Sequence, residues 1–216
     1  MNNNEQTKGR FIAIEGVDGA GKGVQSRLLR DELQGSGVDV LLTREPGGSS
    51  GAEEIRNLLV HGAADRWDAM TELLLIYAAR RDHLSKTIWP ALEAGRWVIS
   101  DRFADSSRAF QGLAGGLGVD LVDAVHAHVV GPFAPDLTLV LDLDPEQSLA
   151  RTVARGGQED RFEKKGLVYQ QRVREAFVQL AERSPRTHVL IDAGRSVGEV
   201  AHDVLRVVSE RFGLAE

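Results

Sequence analysis

Apolar, β-branched runs recur along this chain, with helix-compatible stretches between them. The runs predict strands at Arg10–Glu15, Asp39–Thr43, Trp97–Ser100, Leu137–Leu143 and His188–Ile191. The intervening periodicity predicts helices at Lys22–Gln34, Gly51–Leu59, Trp67–Glu93, Ser106–Gly112, Val119–Val129, Pro145–Arg155, Lys165–Arg183 and Val197–Phe212. Strands that alternate with helices imply an α/β fold: a five-stranded parallel sheet with helices on both faces. Turn residues agree with this pattern. Pro46-Gly47-Gly48 follows the second strand, Gly35 and Gly37 end the first helix, and Asp144-Pro145 supplies an N-cap and a proline at a first helical position. The long stretch Trp67–Glu93 is expected to bend near Pro90.

Length sets the domain count. A chain of 216 residues is best read as one domain over 10–216, behind a polar and flexible start at 1–9. Hydrophobic residues make up 42% and charged residues 27%, the balance of an ordinary soluble protein. The net charge of −6 argues against a general nucleic-acid binder, although a local positive site could still take single nucleotides. There is no cysteine, which excludes disulfides, thiol catalysis and cysteine-ligated metals. The six histidines form no helical metal pair and read as surface or core residues. The polar start has no apolar h-region, so no signal peptide is expected, and the apolar run Leu73–Ala79 is too short to span a membrane. A cytoplasmic protein is expected.

The chemistry is concentrated after the first strand. Gly16-Val17-Asp18-Gly19-Ala20-Gly21-Lys22-Gly23, with Val24 beyond it, is a phosphate-binding loop between a strand and a helix. Glycines let successive N–H groups converge on phosphate oxygens, and the helix points its positive end at the same place. Lys22 adds a full charge for the outer phosphates. The position after Lys22 usually carries a hydroxyl for Mg²⁺; here it is Gly23.

Ligands of open parallel sheets bind beyond the carboxyl ends of the strands. Asp101-Arg102 ends the third strand, where a carboxylate can hold Mg²⁺ and an arginine can fork onto a phosphate. Arg151, Arg155 and Arg161 surround Gly156-Gly157, in a segment that could close over polyphosphate as a lid at about 151–165. Arg80-Arg81 interrupts an otherwise apolar helix. Ser107 and Gln111, four residues apart, share a helical face.

Taken in order, these residues resemble the bacterial thymidylate kinases, a branch of the phosphate-loop nucleoside monophosphate kinases. The resemblance is carried by Glu15–Lys22, Thr43-Arg44-Glu45-Pro46-Gly47-Gly48, Tyr77-Ala78-Ala79-Arg80, Asp101–Gly112, Pro135-Asp136-Leu137-Thr138 and Asp160-Arg161-Phe162-Glu163. The second and fourth of these runs are its most specific parts. It implies ATP-dependent phosphorylation of dTMP to dTDP and a homodimer; the net charge and the short apolar run lead to the expectation of no nucleic-acid or membrane partner. The resemblance also implies residue roles. Asp18 contacts the deoxyribose 3′-hydroxyl, and Arg56 and Arg102 hold the acceptor phosphate. Arg80, Ser107 and Gln111 form the base pocket, and Pro46 shapes the substrate side. Lid arginines replace an arginine that another branch carries at the position of Gly19. Asp101 is the implied Mg²⁺ carboxylate, with Glu163 as a further candidate.

Two positions depart from the pattern. Gly23 lacks the hydroxyl, as in adenylate kinases. Ile76 stands where a phenylalanine usually stacks on the base. Two alternatives follow from these departures: another nucleoside monophosphate kinase, or a nucleotide-binding protein with impaired catalysis. A GTP-dependent switch would need an Asn-Lys-x-Asp segment, which the sequence lacks.

Overall fold

The computed structural model of the protein describes residues 9–63, 65–155 and 166–214; for Val153, Ala154 and Arg155 only the helical backbone is described. Five strands, β1 (Phe11–Gly16), β2 (Val40–Arg44), β3 (Trp97–Asp101), β4 (Leu137–Asp142) and β5 (His188–Asp192), form one sheet in the order β2-β3-β1-β4-β5. Every pairing is parallel, as the alternation of elements predicts. β1 is central, with Ile14 opposite Asp101 of β3 and Leu139 of β4. The segments leaving β1, β3 and β4 therefore emerge side by side at one edge of the sheet, where ligands of such sheets bind.

Helices α1 (Lys22–Gly35), α2 (Ser50–Val60), α3 (Ala69–His83), α4 (Trp89–Glu93), α5 (Ala104–Ser107), α6 (Val119–Val129), α7 (Pro145–Arg155), α8 (Leu167–Arg183) and α9 (Val197–Phe212) complete the described fold. Alternation along β1 explains the two cores. Ile12 and Ile14 pack with Leu29 and Leu33 of α1 and Phe177 of α8, whereas Phe11 and Ala13 pack with Leu73 and Tyr77 of α3, Phe103 and Val122. Full burial of one such large side chain contributes roughly 1.5–3 kcal/mol. Both faces of β1 are thus committed to packing, and chemistry is left to the strand ends.

The expected helix Trp67–Glu93 is divided. Asp68 caps it by accepting from the Thr71 N–H at 2.7 Å, so it begins at Ala69. It then passes through a π-helical turn at Leu84–Ile88 before α4. The expected irregularity near Pro90 lies on its N-terminal side, because proline has no N–H for the carbonyl four residues back. The Trp89 N–H instead reaches the Leu84 carbonyl. The helix expected at Ser106–Gly112 begins at Ala104 and widens into a second π-helical segment, Arg108–Ala114. Asp144 caps α7 as its sequence implied, accepting from the N–H of Glu146 at 2.9 Å. Among the described residues no helix is long and apolar enough to cross a membrane.

Candidate functional site

The loop from Gly16 to Lys22 joins the end of β1 to the start of α1. Gly16, Gly19 and Gly21 have φ of 134°, 79° and 90°, a region that side chains disfavour. Gly19 is also crowded: a Cβ there would lie 2.6 Å from the Ser148 carbonyl oxygen of α7. The loop is therefore pressed against α7, and the Ser148 hydroxyl donates to the Asp18 carbonyl. Lys22 curls back to donate from Nζ to the Val17 carbonyl at 2.7 Å. Burial, aided by the Arg102 charge, lowers its pKa to about 8, against the pull of Asp101, Asp18 and Glu15. An arriving polyphosphate would restore full charge to this amine.

Asp101 and Arg102 leave β3 beside that loop. Arg102 has φ 74°, unusual for a side-chain-bearing residue, and such a conformation costs on the order of 1–3 kcal/mol. Several contacts hold it there. The Arg102 N–H donates to the Ile14 carbonyl at 2.9 Å, and the Ser100 hydroxyl donates to the Arg102 carbonyl at 2.7 Å. The guanidinium donates to Asp18 Oδ1 at 2.5 Å, the Gly16 carbonyl at 3.0 Å and Ser106 Oγ at 2.9 Å. Buried Glu15 fixes the following residues by accepting from the Phe103 N–H and the Ser106 hydroxyl at 2.8 and 2.6 Å. Burial and the Asp105 carboxylate raise the Glu15 pKa, although these bonds and Arg102 oppose the rise. Gly23, next to Lys22, has no positive φ. A Cβ there would stand 3.3 Å from Asp101 Oδ2.

A second polar group lies under α3. Arg80 is 1% exposed and donates from Nε to Glu45 Oε2 at 2.7 Å, from Nη1 to Ser107 Oγ at 3.1 Å and from Nη2 to the Phe103 carbonyl at 2.9 Å. Its guanidinium also lies over the rings of Tyr77 and Phe103. His83, fully buried, places Nδ1 3.1 Å from Glu45 Oε1 and Nε2 2.7 Å from Thr43 Oγ1. Burial alone would raise the Glu45 pKa, but Arg80 and His83 hold it below the usual carboxylate range. An ionised carboxylate only accepts, so Nδ1 of His83 carries a proton.

The remaining expected residues are placed as follows. Gln111 Nε2 donates to Glu72 Oε2 at 3.1 Å, with both residues buried. Arg56 Nη1 donates to the Pro46 carbonyl at 2.7 Å. Ile76 is half-buried, one helical turn before Arg80. Val17 and Ala20 are buried, and Val24 is exposed on α1. Arg151 of α7 donates to the Ala193 carbonyl at 3.1 Å, and Arg155 ends that helix. Most of the expected lid, including Arg161 and Glu163, lies outside the described residues.

The fold thus brings Lys22, Asp18, Arg102, Asp101 and Gly23 together, and joins Arg80 to Ser107. Sequence reasoning missed Glu72 and His83 as members of the site, and quoted Glu15 and Glu45 without giving them roles. His83 had one usable signal: it lies three residues beyond Arg80, on the same helical face.

The family model described as thymidylate kinase matches residues 14–204. A thymidylate kinase of Ruegeria pomeroyi is 54% identical over 200 residues, covering 93% of this chain and 94% of its own. One from Caulobacter vibrioides is 51% identical over 208 residues, covering 96% of this chain and 100% of its own. Among solved structures, the thymidylate kinase of Ehrlichia chaffeensis superposes with a TM-score of 0.74 at 34% identity, covering 93% of this chain and 98% of that one.

Proposed function

The chain belongs to the thymidylate kinase family, and from that premise we propose how its residues carry the reaction. It phosphorylates dTMP to dTDP with ATP as the phosphoryl donor. The observation that best supports the residue assignment is the Asp18–Arg102 ion pair at 2.5 Å. It links the phosphate-binding loop to the Asp101–Gln111 segment, which carries Ser107. Purified protein given ATP, Mg²⁺ and dTMP is expected to form dTDP, and to do so faster than it phosphorylates dAMP, dGMP or dCMP. Equal or greater turnover of another monophosphate would overturn the substrate assignment.

On this reading, the N–H groups of Gly16–Lys22, continuing into Gly23 and Val24, cradle the ATP phosphates, and Lys22 Nζ exchanges the Val17 carbonyl for a phosphate oxygen. Arg102 turns from Asp18 toward the acceptor phosphate, with Arg56 on its other side. Asp18, released, meets the sugar 3′-hydroxyl. Pro46 and half-buried Ile76 border the acceptor, while Arg80, Ser107 and Gln111 face its base. The acceptor oxygen is already anionic, so positioning and charge neutralisation suffice and no strong general base is needed. Arg151, Arg155 and Arg161 belong to the lid at about 151–165, which excludes water over the transferring group.

Mg²⁺ suits this site. The ion typically takes only one or two protein carboxylates and completes its shell with phosphate oxygens and water. Asp101 supplies one carboxylate, and it lies directly beside Gly23, where a Cβ would approach Oδ2 to 3.3 Å. Asp101 would hold the ion, with Glu163 as a further candidate, and the ion would offset charge on the phosphates. Gly23→Thr tests this site. The backbone tolerates a side chain here, and the tight approach is to a carboxylate tip that can shift. The variant is expected to fold and to need less Mg²⁺ for half-maximal rate, measured by titration at saturating ATP. A raised Mg²⁺ requirement would show that the loop is built around glycine.

The same reading includes a cytoplasmic homodimer. Support comes from exposed apolar side chains on neighbouring helices: Leu58 of α2, Met70 and Leu74 of α3, and Leu121 of α6. Sedimentation at micromolar concentration should give twice the chain mass of 23.5 kDa.

A further inference from the structure

We propose that Glu72 is a positioning residue for base selection: it fixes the Gln111 amide so that Oε1 is presented as a hydrogen-bond acceptor. This inference rests on the assignment of Arg80 and Gln111 to the acceptor base. Glu72 and Gln111 are each 1% exposed, and they meet across 39 residues of sequence through Nε2 and Oε2 at 3.1 Å. A carboxylate offers only acceptors, so the amide must turn its NH₂ toward it. The other end of the amide is then forced to be the oxygen. Gln111 Oε1 is buried and has no hydrogen-bond partner among the described residues. A buried acceptor left unmatched is costly, so this atom is suited to a donor on a bound ligand.

Ser107 provides the geometric link. It lies one helical turn before Gln111 and accepts from Arg80 Nη1 at 3.1 Å. Arg80 can only donate, and Gln111 Oε1 can only accept. A donor beside an acceptor matches a ligand edge with a carbonyl beside an N–H. Thymine and uracil have that edge. Cytosine presents the reverse, an unprotonated ring nitrogen beside an amino group. Glu72 contributes to this choice without touching the ligand, because it removes the flipped amide that would suit cytosine. A glutamine amide otherwise has two orientations of nearly equal shape.

The test is an exchange of the pair. Glu72→Gln lets the Gln111 amide adopt either orientation. It is expected to raise KM for dTMP about five- to tenfold and to raise dCMP use relative to dTMP by a similar factor, with KM for ATP within about twofold. The double variant Glu72→Gln/Gln111→Glu reverses the roles. The amide introduced on α3 now donates, and the carboxylate introduced opposite it can only accept. The preference for dTMP over dCMP is then expected to return toward the wild-type ratio. A purely structural Glu72 would give no such rescue. A folded Glu72→Gln protein with unchanged KM and ratio would overturn the proposal, as would a double variant no more selective than the single one. If the single variant does not fold, the double variant decides, since it must retain the dTMP preference. Wild-type protein that ignores dTMP but turns over another monophosphate would instead defeat the underlying assignment.

Discussion

Lys22→Ala is expected to lower kcat by at least about 10²–10³-fold, the scale associated with losing one preorganised group that stabilises developing charge. Lys22 is the only full positive charge within the loop, and Arg102, a neighbouring cation, is committed to the acceptor side in the proposed mechanism. Steady-state rates at saturating ATP and dTMP measure the effect, and a variant that keeps a tenth of wild-type kcat would refute the loop assignment. The fold should not suffer equally, because charged Lys22 is under strain in the free protein. Its pKa falls from 10.5 to about 8 on folding, chiefly through burial. Between those values the unfolded chain binds the extra proton, so stability rises with pH across that window. Below about pH 8 the cost is fully present. Lys22→Met removes it, so the stability of this variant relative to wild type should improve by roughly 3 kcal/mol on going from pH 10.5 to pH 8. Urea denaturation at the two pH values checks the sign. A relative stability that improves toward high pH would mean that Lys22 is not strained by burial.

Local features of this molecule were legible in the sequence and distant pairings were not. The loop Gly16–Lys22 is a single stretch, and its glycines and lysine act through their own backbone, so the motif carries its geometry with it. The sheet was equally legible, because a strand buried on both faces reads as a continuous apolar run, as Phe11-Ile12-Ala13-Ile14 does. The π-helical turn at Leu84–Ile88 was only half visible. Pro90 signals that a hydrogen bond is missing, but not how the preceding turn rearranges. Glu45 and His83 lie 38 residues apart, and Glu72 and Gln111 lie 39 apart. Periodicity assigns each of these residues to a face of its element and says nothing about which polar group lies across from it. Glu72 is a further case. Burial without a partner is too costly to persist, but its Leu73-Leu74-Leu75-Ile76 surroundings do not show that it is buried, since Leu74 on the same helix is exposed.

Arg80→Ala should cost stability as well as affinity for dTMP, because Arg80 carries half of a buried ion pair. Its side chain and that of Glu45 are 1% and 3% exposed, with Nε 2.7 Å from Oε2. Removing one member of a pair this deeply buried leaves the other charge without compensation and typically destabilises by about 3–5 kcal/mol. Arg80→Ala/Glu45→Ala removes both charges, so its loss should fall well short of the sum of the two single losses. Urea denaturation of the four proteins closes the cycle. Losses that add within about 0.5 kcal/mol would show that the pair is not coupled. Acid supplies an independent check. The Glu45 pKa is lowered on folding, so the contribution of the pair is complete above the unfolded value of 4.5 and fades as pH falls through the lower folded value. The deficit of Arg80→Ala should therefore shrink in strong acid. Activity separates the second role of the residue. At a temperature where the variant is folded, KM for dTMP should rise far more than KM for ATP, since Arg80 reaches Ser107 and Phe103 rather than the phosphate-binding loop. A parallel rise in both constants would place Arg80 in the scaffold alone and leave base recognition to Ser107 and Gln111.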